Sequence, residues 1–402
     1  MESFPLPLPL PFPSAIAAGL YTIRQQSSGR FLDAHEIASK DFAAVTRPQQ
    51  ADETQKWIIV PVGGVYTLQQ ASNGRFVDTQ DSGNDFGVVT REAQGDQTQR
   101  WILLHLGDDR FSLTQQSSGR ALDAHEQANK DFAAVTRPAA GDGSQRWIMN
   151  SLGNNKLTIR QENTGRFLDA HEIAAKDFRL VTRSEQDDDT QRWIATPVAA
   201  ICRVQQLSSR RFLDAHQSSG RDFAAVTRES KDNDSQRWLI GPGAGGRFSL
   251  TQMSSKRLLD AHEIEAKDFA AVTRPPQSDT TQQWTLAAVP HVDLAAANFD
   301  IQPGAGRSFS AKGIVHNIGQ LPVRGPFRIV LEVTTASSSR SVDTQIPAST
   351  TIAPGATIFT LPIENIPKTP GSTCVIRMLV DPDFKLPDAM RANNALERQL
   401  SF

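Results

Sequence analysis

Cysteine is nearly absent: Cys202 and Cys374 are the only two in 402 residues. Two cysteines cannot build a disulfide framework or a structural zinc site. They fall in segments that read as different domains, so both are read as free thiols. A surplus of positive charge is also missing, since 42 Lys and Arg stand against 44 Asp and Glu. Sequence-independent nucleic-acid binding needs that surplus to displace counterions, so no nucleic-acid partner is expected. No apolar run is long enough for a transmembrane helix, and helical periodicity is missing throughout. What remains is an ordinary globular composition, 39% hydrophobic and 21% charged. A chain this long calls for more than one core, because single cores rarely grow past roughly 250–300 residues.

Residues 1–19 carry five prolines in alternation with Leu and Phe and no Lys or Arg. That is not a standard secretory signal. Leu-Pro alternation favours extended polyproline II. The stretch is expected to be a disordered leader or an arm on the first domain, with a docking or export segment as the sharper alternative. A location in the cytoplasm, or release by a non-classical route, follows as the expectation.

Self-similarity dominates the rest. The segment from Gly29 to Trp57 recurs five more times, and the chain's six tryptophans mark it: Trp57, Trp101, Trp147, Trp193, Trp238 and Trp284. Each unit holds four short runs, in repeat 1 YTIRQQ, RFLDAH, FAAVTR and QKWIIV, separated by Ser, Gly, Asn and Asp clusters. Runs of this length between turn-forming clusters predict β-strands. Four strands per unit fits a six-bladed propeller or two β-trefoils of three units each. Finer likeness favours the trefoils: repeat 1 matches repeat 4, repeat 3 matches repeat 6, and repeats 2 and 5 share VTRE. A three-unit block duplicated once gives that pattern. The expected partition is therefore 20–154 and 155–289, one trefoil each.

The Gln-x-Trp signature, for example Gln55-Lys56-Trp57 and Gln99-Arg100-Trp101, follows Gly-Arg-x-Leu-Asp in most units. On these residues the chain resembles the ricin-type β-trefoil lectin family over about two thirds of its length. The resemblance implies carbohydrate binding without catalysis. It also implies that the Asp after the second strand accepts hydrogen bonds from two sugar hydroxyls, a task suited to a carboxylate.

A polar set accompanies each tryptophan. It comprises Asp33, His35, Arg47 and Gln55 in repeat 1, and Asp78, Arg91 and Gln99 in repeat 2, where Gln80 stands in the histidine's place. It recurs as Asp123, His125, Arg137 and Gln145, then as Asp169, His171, Arg183 and Gln191. The last two sets are Asp214, His216, Arg228 and Gln236, and Asp260, His262, Arg274 and Gln282. These are the candidate ligand-binding residues. The tryptophans are expected in the core, where burial is worth roughly 2–3 kcal/mol each. The sequence departs from the family in two ways. Arginine stands where the family carries a sugar-stacking aromatic near the end of strand three. Thr or Ser precedes the Gln of Gln-x-Trp where the family often has Asn. Two accounts stay open. Arg and His line a pocket for an acidic or highly hydroxylated ligand, or Asp33 and Arg47 pin strand two to strand three while His35 caps a loop. One histidine per repeat does not assemble a metal site, and no nucleophile recurs beside it, so neither metal, cofactor nor catalysis is expected. Five histidines in one position leave a pH-sensing role physically open.

After Pro290 the repeats stop. Alternating apolar runs punctuated by Pro and Gly predict a β-sandwich over 291–402. Val315-His316-Asn317-Ile318-Gly319, Ala353-Pro354-Gly355, Val380-Asp381 and Asn393-Asn394 resemble the CARDB family, an Ig-like adhesion-related module. The expectation is thus an all-β chain, two tandem β-trefoils followed by an Ig-like β-sandwich. Its expected function is multivalent carbohydrate binding, with glycans or glycoconjugates on a cell surface as partners. The alternatives are a cell-targeting toxin or pore-forming accessory, and a protein-binding scaffold with no sugar ligand.

Overall fold

The computed structural model describes residues 10, 14–80, 86–107, 109–231, 233–277 and 279–402. Most of the Pro-rich leader lies outside the described residues, although Leu10 packs against an apolar core described below. Among the described residues no helix is long and apolar enough to cross a membrane. The chain divides into a unit built from residues 22–287 and one that comprises 288–402 with 19–21.

Within each repeat the four runs become strands. In repeat 1, Gly19–Gln25 leads to a hairpin of Phe31–Ala34 and Ala44–Arg47, registered Phe31 to Arg47 and Asp33 to Val45. The hairpin loop holds one 3-10 turn, Ala38–Lys40, and then two residues in the left-handed region, Asp41 at φ 52° and Phe42 at φ 50°. Left-handed backbone is unfavourable for a bulky residue, yet four other repeats adopt it at the same Asp-Phe pair. The cost is offset by what the turn reaches. The Phe42 carbonyl accepts from Thr227 N–H at 2.9 Å, and the Phe42 ring lies 3.8 Å beneath the Arg211 guanidinium. Each tryptophan is fully buried, and each indole N–H donates to the carbonyl of the second-strand residue 24 or 25 positions back, as Trp57 does to Leu32 at 3.0 Å. One side chain thus fills the core and ties the closing strand to the hairpin.

The strands close two six-stranded barrels that share two members. The shared strands are Trp57–Gln70 and Trp193–Gln206, each 14 residues long. They pair antiparallel from Trp57↔Gln206 to Gln70↔Trp193, with two bulges. One barrel runs from the first of them through Trp101–Gly107, Arg110–Gln115, Arg146–Gly153 and Lys156–Gln161 to the second. The other uses the opposite halves of the shared strands with Arg237–Pro242, Phe248–Gln252, Trp284–Ala288 and Gly19–Gln25. Backbones approach closely where the barrels meet, and glycine permits it. A Cβ on Gly63 would stand 2.2 Å from the Leu103 carbonyl oxygen, and one on Gly64 would stand 2.6 Å from that of Ala199.

This connectivity corrects the expected partition at 154/155. One trefoil consists of repeats 2, 3 and 4, with a continuous core from Tyr66 to Ala195. The other consists of repeat 1 with repeats 5 and 6, so the first is nested within the second. Hairpin bridges give the same grouping: Ala43↔Val226, Val45↔Ala270 and Ala224↔Val272 in one, Gly87↔Val135, Ala133↔Val181 and Val89↔Arg179 in the other. The physical reason lies at the joints. Between repeats 3 and 4, Gly153, Asn154 and Asn155 take positive φ and turn a tight hairpin, with Ser151 opposite Leu157. A boundary there would cut a barrel in half. Between repeats 1 and 2, and between 4 and 5, no turn intervenes, and the strand passes straight from one barrel to the other.

Besides a two-stranded ribbon of Val323–Arg324 with Thr351–Ile352, residues 294–401 form two antiparallel four-stranded sheets. Leu294–Pro303, Ser308–Asn317, Thr357–Phe359 and Ile363–Pro367 make one, and Ser339–Ile346, Phe327–Thr335, Thr373–Val380 and Ala395–Ser401 the other. Their inward residues, Phe309, Ile329, Leu331, Ile376 and Met378 among them, share one core, as in a β-sandwich. Cys374 is buried in it and Cys202 in the barrel unit; both are free thiols.

Candidate functional site

Strand alternation puts Phe31, Asp33 and His35 on one face of the hairpin, and the pairing register places Arg47 opposite Phe31. Asp33 is 2% exposed. Its Oδ1 accepts from the Ala34 N–H at 2.7 Å, and its Oδ2 accepts from Gln55 Nε2 at 3.4 Å and faces Arg47 Nε at 3.8 Å. Burial pushes the Asp33 carboxyl above the usual aspartate range, against the pull of the Ala34 N–H and Arg47. Gln55 is saturated. Its Nε2 also donates to the Pro48 carbonyl at 2.8 Å, and its Oε1 accepts from Gln50 N–H at 2.8 Å, which staples the loop after strand three.

The other repeats copy this cluster with small shifts. Asp123 meets Arg137 Nη1 at 3.1 Å and Gln145 at 3.3 Å. Asp169 meets Arg183 at 3.4 Å and Gln191 at 3.3 Å. Asp214 accepts from Ser235 at 3.1 Å and Gln236 at 3.5 Å, with Arg228 at 4.0 Å. Asp260 accepts from Gln282 at 3.4 Å and faces Arg274 at 3.8 Å. In repeat 2, Asp78 accepts from the Thr79 N–H at 2.7 Å and from Gln99 at 3.3 Å, while Arg91 sits half-buried opposite Phe76.

The histidines do something the sequence did not disclose: they bridge repeats. His35 Nε2 lies 2.9 Å from Asp268 of repeat 6, His262 Nε2 lies 2.8 Å from Asp222 of repeat 5, and His216 Nε2 lies 2.7 Å from Asp41 of repeat 1. These contacts close a three-membered ring over the outer trefoil. In the inner trefoil His171 pairs with Asp131 at 2.9 Å, and Gln80 donates to Asp177 at 2.5 Å; Asp85, which precedes Phe86 in repeat 2 as Asp131 precedes Phe132 in repeat 3, lies outside the described residues. Arg47 Nη2 donates to His35 Nδ1 at 3.2 Å, and Arg137 and Arg183 do the same to His125 and His171 at 3.3 and 3.0 Å. A neutral ring with its proton on Nε2 serves both neighbours, accepting from arginine and donating to aspartate. The histidine hydrogen bond is the main influence holding Asp41, Asp131, Asp222 and Asp268 below the usual carboxylate range.

Asp33, Arg47, Gln55 and His35 thus meet in one cluster, which recurs in every repeat but the second. Most of their bonding capacity is spent on each other and on the backbone. The guanidinium is the member that keeps solvent contact: Arg47, Arg137, Arg183, Arg228 and Arg274 are each about a third exposed. Residue patterns alone did not single out Phe31 and its equivalents, which the register sets beside these arginines. The signal was the period-two alternation from Phe31 through Asp33 to His35. Among the described residues no group of three His, Cys, Asp or Glu is placed to hold a metal ion.

A family model described as ricin-type beta-trefoil lectin domain-like matches residues 12–91, 64–137, 97–177 and 143–229, together more than half of the chain. No curated protein matches the chain. Among solved structures, the designed three-fold symmetric protein ThreeFoil is 25% identical over 33% of this chain and 98% of its own, with a TM-score of 0.31. The Polyporus squamosus lectin bound to a human-type influenza-binding epitope is 16% identical over 35% of this chain, with a TM-score of 0.31; the chain spans 51% of its length. The Macrolepiota procera ricin B-like lectin in complex with lactose is 16% identical over 34% of this chain and 98% of its own, with a TM-score of 0.29.

Proposed function

The chain belongs to the ricin-type β-trefoil lectin domain-like family, and from that premise we propose that it is a multivalent, non-catalytic carbohydrate-binding protein that favours acidic glycans. The supporting observation is the recurrence of one arrangement: a guanidinium braced on a buried carboxylate, with about a third of its side chain in solvent. Bracing removes much of the entropy that a free arginine would lose on binding. Five N–H donors exceed the Asp and His acceptors each guanidinium meets within its repeat, so donors remain for a ligand carboxylate, sulfate or hydroxyl. Each buried Asp is already bonded to a backbone N–H and a glutamine amide. Such a carboxylate is a fixed anchor rather than a proton shuttle, which supports binding without catalysis. Weak sites repeated on one rigid unit gain avidity of ~10²–10⁴ on a glycan-coated surface where geometry permits.

A glycan array tests this reading. The intact chain is compared with a variant carrying Arg→Gln at Arg47, Arg91, Arg137, Arg183, Arg228 and Arg274, its fold checked by tryptophan fluorescence. Wild type is expected to retain acidic glycans and the variant to release them. A wild type that binds no glycan ends the lectin reading, and a folded variant that binds unchanged ends the arginine assignment.

A further inference from the structure

The six repeats are not equivalent at one row of three residues. Across the first strand and the hairpin, the register lines up Arg24, Phe31 and Arg47 in repeat 1. It lines up Arg160, Phe167 and Arg183 in repeat 4. Repeats 2 and 5 have glutamine in the first place, as Gln69-Phe76-Arg91 and Gln205-Phe212-Arg228. Repeats 3 and 6 lack the aromatic, as Thr114-Ala121-Arg137 and Thr251-Leu258-Arg274. Partners directly opposite in an antiparallel pair project from the same face. Only repeats 1 and 4 therefore place an aromatic between two arginines of this row.

The row in repeat 1 borders an open groove of about 640 Å³ lined by Arg24, Ser28, Gly29, Arg30, Phe31, Pro48 and Gln49. Phe31 and Phe167 keep part of their surface in solvent, whereas Phe212 is buried under Arg203, 3.8 Å above its ring. The Arg24 side chain is positioned: its Nε donates to the Gly29 carbonyl at 2.9 Å. Gly29 sits at φ +70°, and a Cβ there would stand 2.7 Å from Arg24 Nη2, so glycine makes the bed for the guanidinium. Gly165 takes the same left-handed turn at φ +69°, and Arg160 Nη1 lies near it, 3.6 Å from where a Cβ would stand, which is ordinary contact. Arg30 is committed elsewhere, to the Thr46 carbonyl and the Phe269 ring. Its charge, with that of Arg47, still makes the groove electropositive; burial first and Arg47 second hold the Arg30 pKa down.

An aromatic ring between two cations suits a saccharide that offers an apolar C–H face and an anionic substituent. We propose that repeats 1 and 4 carry the protein's two principal ligand sites. Each site takes an anionic sugar, its ring against Phe31 in the repeat 1 groove or against Phe167 in repeat 4, and its acidic group on Arg24 or Arg160. This deepens the carbohydrate-binding reading and rests on it.

The chain supplies its own conservative replacements. Gln69 and Gln205 already fill the arginine's place and donate to the carbonyls of Gly74 and Arg210, both at 2.7 Å, and Leu258 already fills the phenylalanine's. Isothermal titration of the full chain with glucuronate, glucose 6-sulfate and glucose reads the result. Wild type is expected to bind two anionic sugars per chain and to bind glucose at least tenfold more weakly; carboxylate and sulfate arms show which anion the groove favours. Arg24→Gln alone halves the stoichiometry, Arg24→Gln with Arg160→Gln abolishes the anionic preference, and Phe31→Leu with Phe167→Leu weakens all three sugars at least tenfold. Six equivalent sites, or a double arginine variant within twofold of wild type for glucuronate, overturns the assignment while leaving the lectin reading intact. A wild type that binds neither these sugars nor any glycan on the array overturns both.

Discussion

The nested topology makes a prediction that a tandem arrangement contradicts. Ala43 of repeat 1 bridges Val226 of repeat 5. The inner trefoil shows the rule for neighbours, Gly87 with Val135 and Ala133 with Val181, so in a tandem arrangement Ala43 would face Val89. Directly opposed antiparallel positions have the spacing a disulfide needs. Ala43→Cys with Val226→Cys should therefore oxidise readily in the folded chain, and Ala43→Cys with Val89→Cys should not. The bridge would close a loop of roughly 180 residues, for which the loop-entropy relation gives about 5 kcal/mol. Removing the buried Val226 side chain costs about 1 kcal/mol, so a net gain of about 4 kcal/mol is the upper expectation. Non-reducing electrophoresis reports bridge formation. Denaturant unfolding followed by tryptophan fluorescence, with and without reductant, reports the gain, because all six tryptophans lie in the barrel unit. Efficient oxidation of the Ala43–Val89 pair, with none at Ala43–Val226, would refute the shared-strand architecture.

Two further expectations concern pH. Asp41, Asp131, Asp222 and Asp268 have depressed folded-state pKa values, first because of their histidine partners. Their contribution is therefore complete above the ordinary aspartate pKa and is lost as pH falls through the lower folded value. The barrel unit should keep a level melting temperature from pH 7 to 5 and lose stability below about pH 4; a steep fall already at pH 6 would contradict the aspartate assignment. In the sandwich the sign reverses. Asp293 is fully buried, and burial with the nearby Asp388 raises its pKa to about 7. Stability is therefore full below the ordinary aspartate pKa, falls as pH rises from there to about 7, and is level above it. Asp293→Asn should stabilise the sandwich at pH 8 by up to about 4 kcal/mol, three pKa units' worth, and be neutral at pH 4. Labelling of the buried Cys374 thiol, resolved by peptide mass, measures it, and equal effects at both pH values would contradict the cause.

Strand positions were legible because the cues are local. Four short runs per repeat, bounded by turn formers, and one tryptophan at a fixed place need no knowledge of distant contacts. The grouping of repeats was not read correctly, although a cue was present. GNN and GAGG stand at two joints and make turns, whereas the PVGG and TPVA joints lie inside unbroken strands. The likeness of repeats 1 and 4 pointed toward a boundary at the third joint. That likeness records how units resemble each other, not which of them pack together.

Sequence by itself determined the all-β class, the six units, the change of architecture after Pro290 and the residue types of the candidate cluster. Tertiary structure alone decided three things. Repeat 1 closes a barrel with repeats 5 and 6, His35 answers to Asp268 across 233 positions, and Phe31 stands between Arg24 and Arg47. The reason is common to all three. Near-identical repeats offer near-identical surfaces, so local pattern cannot rank one partner above another. Only barrel closure, fixed by where the chain turns and where it runs straight, selects among them.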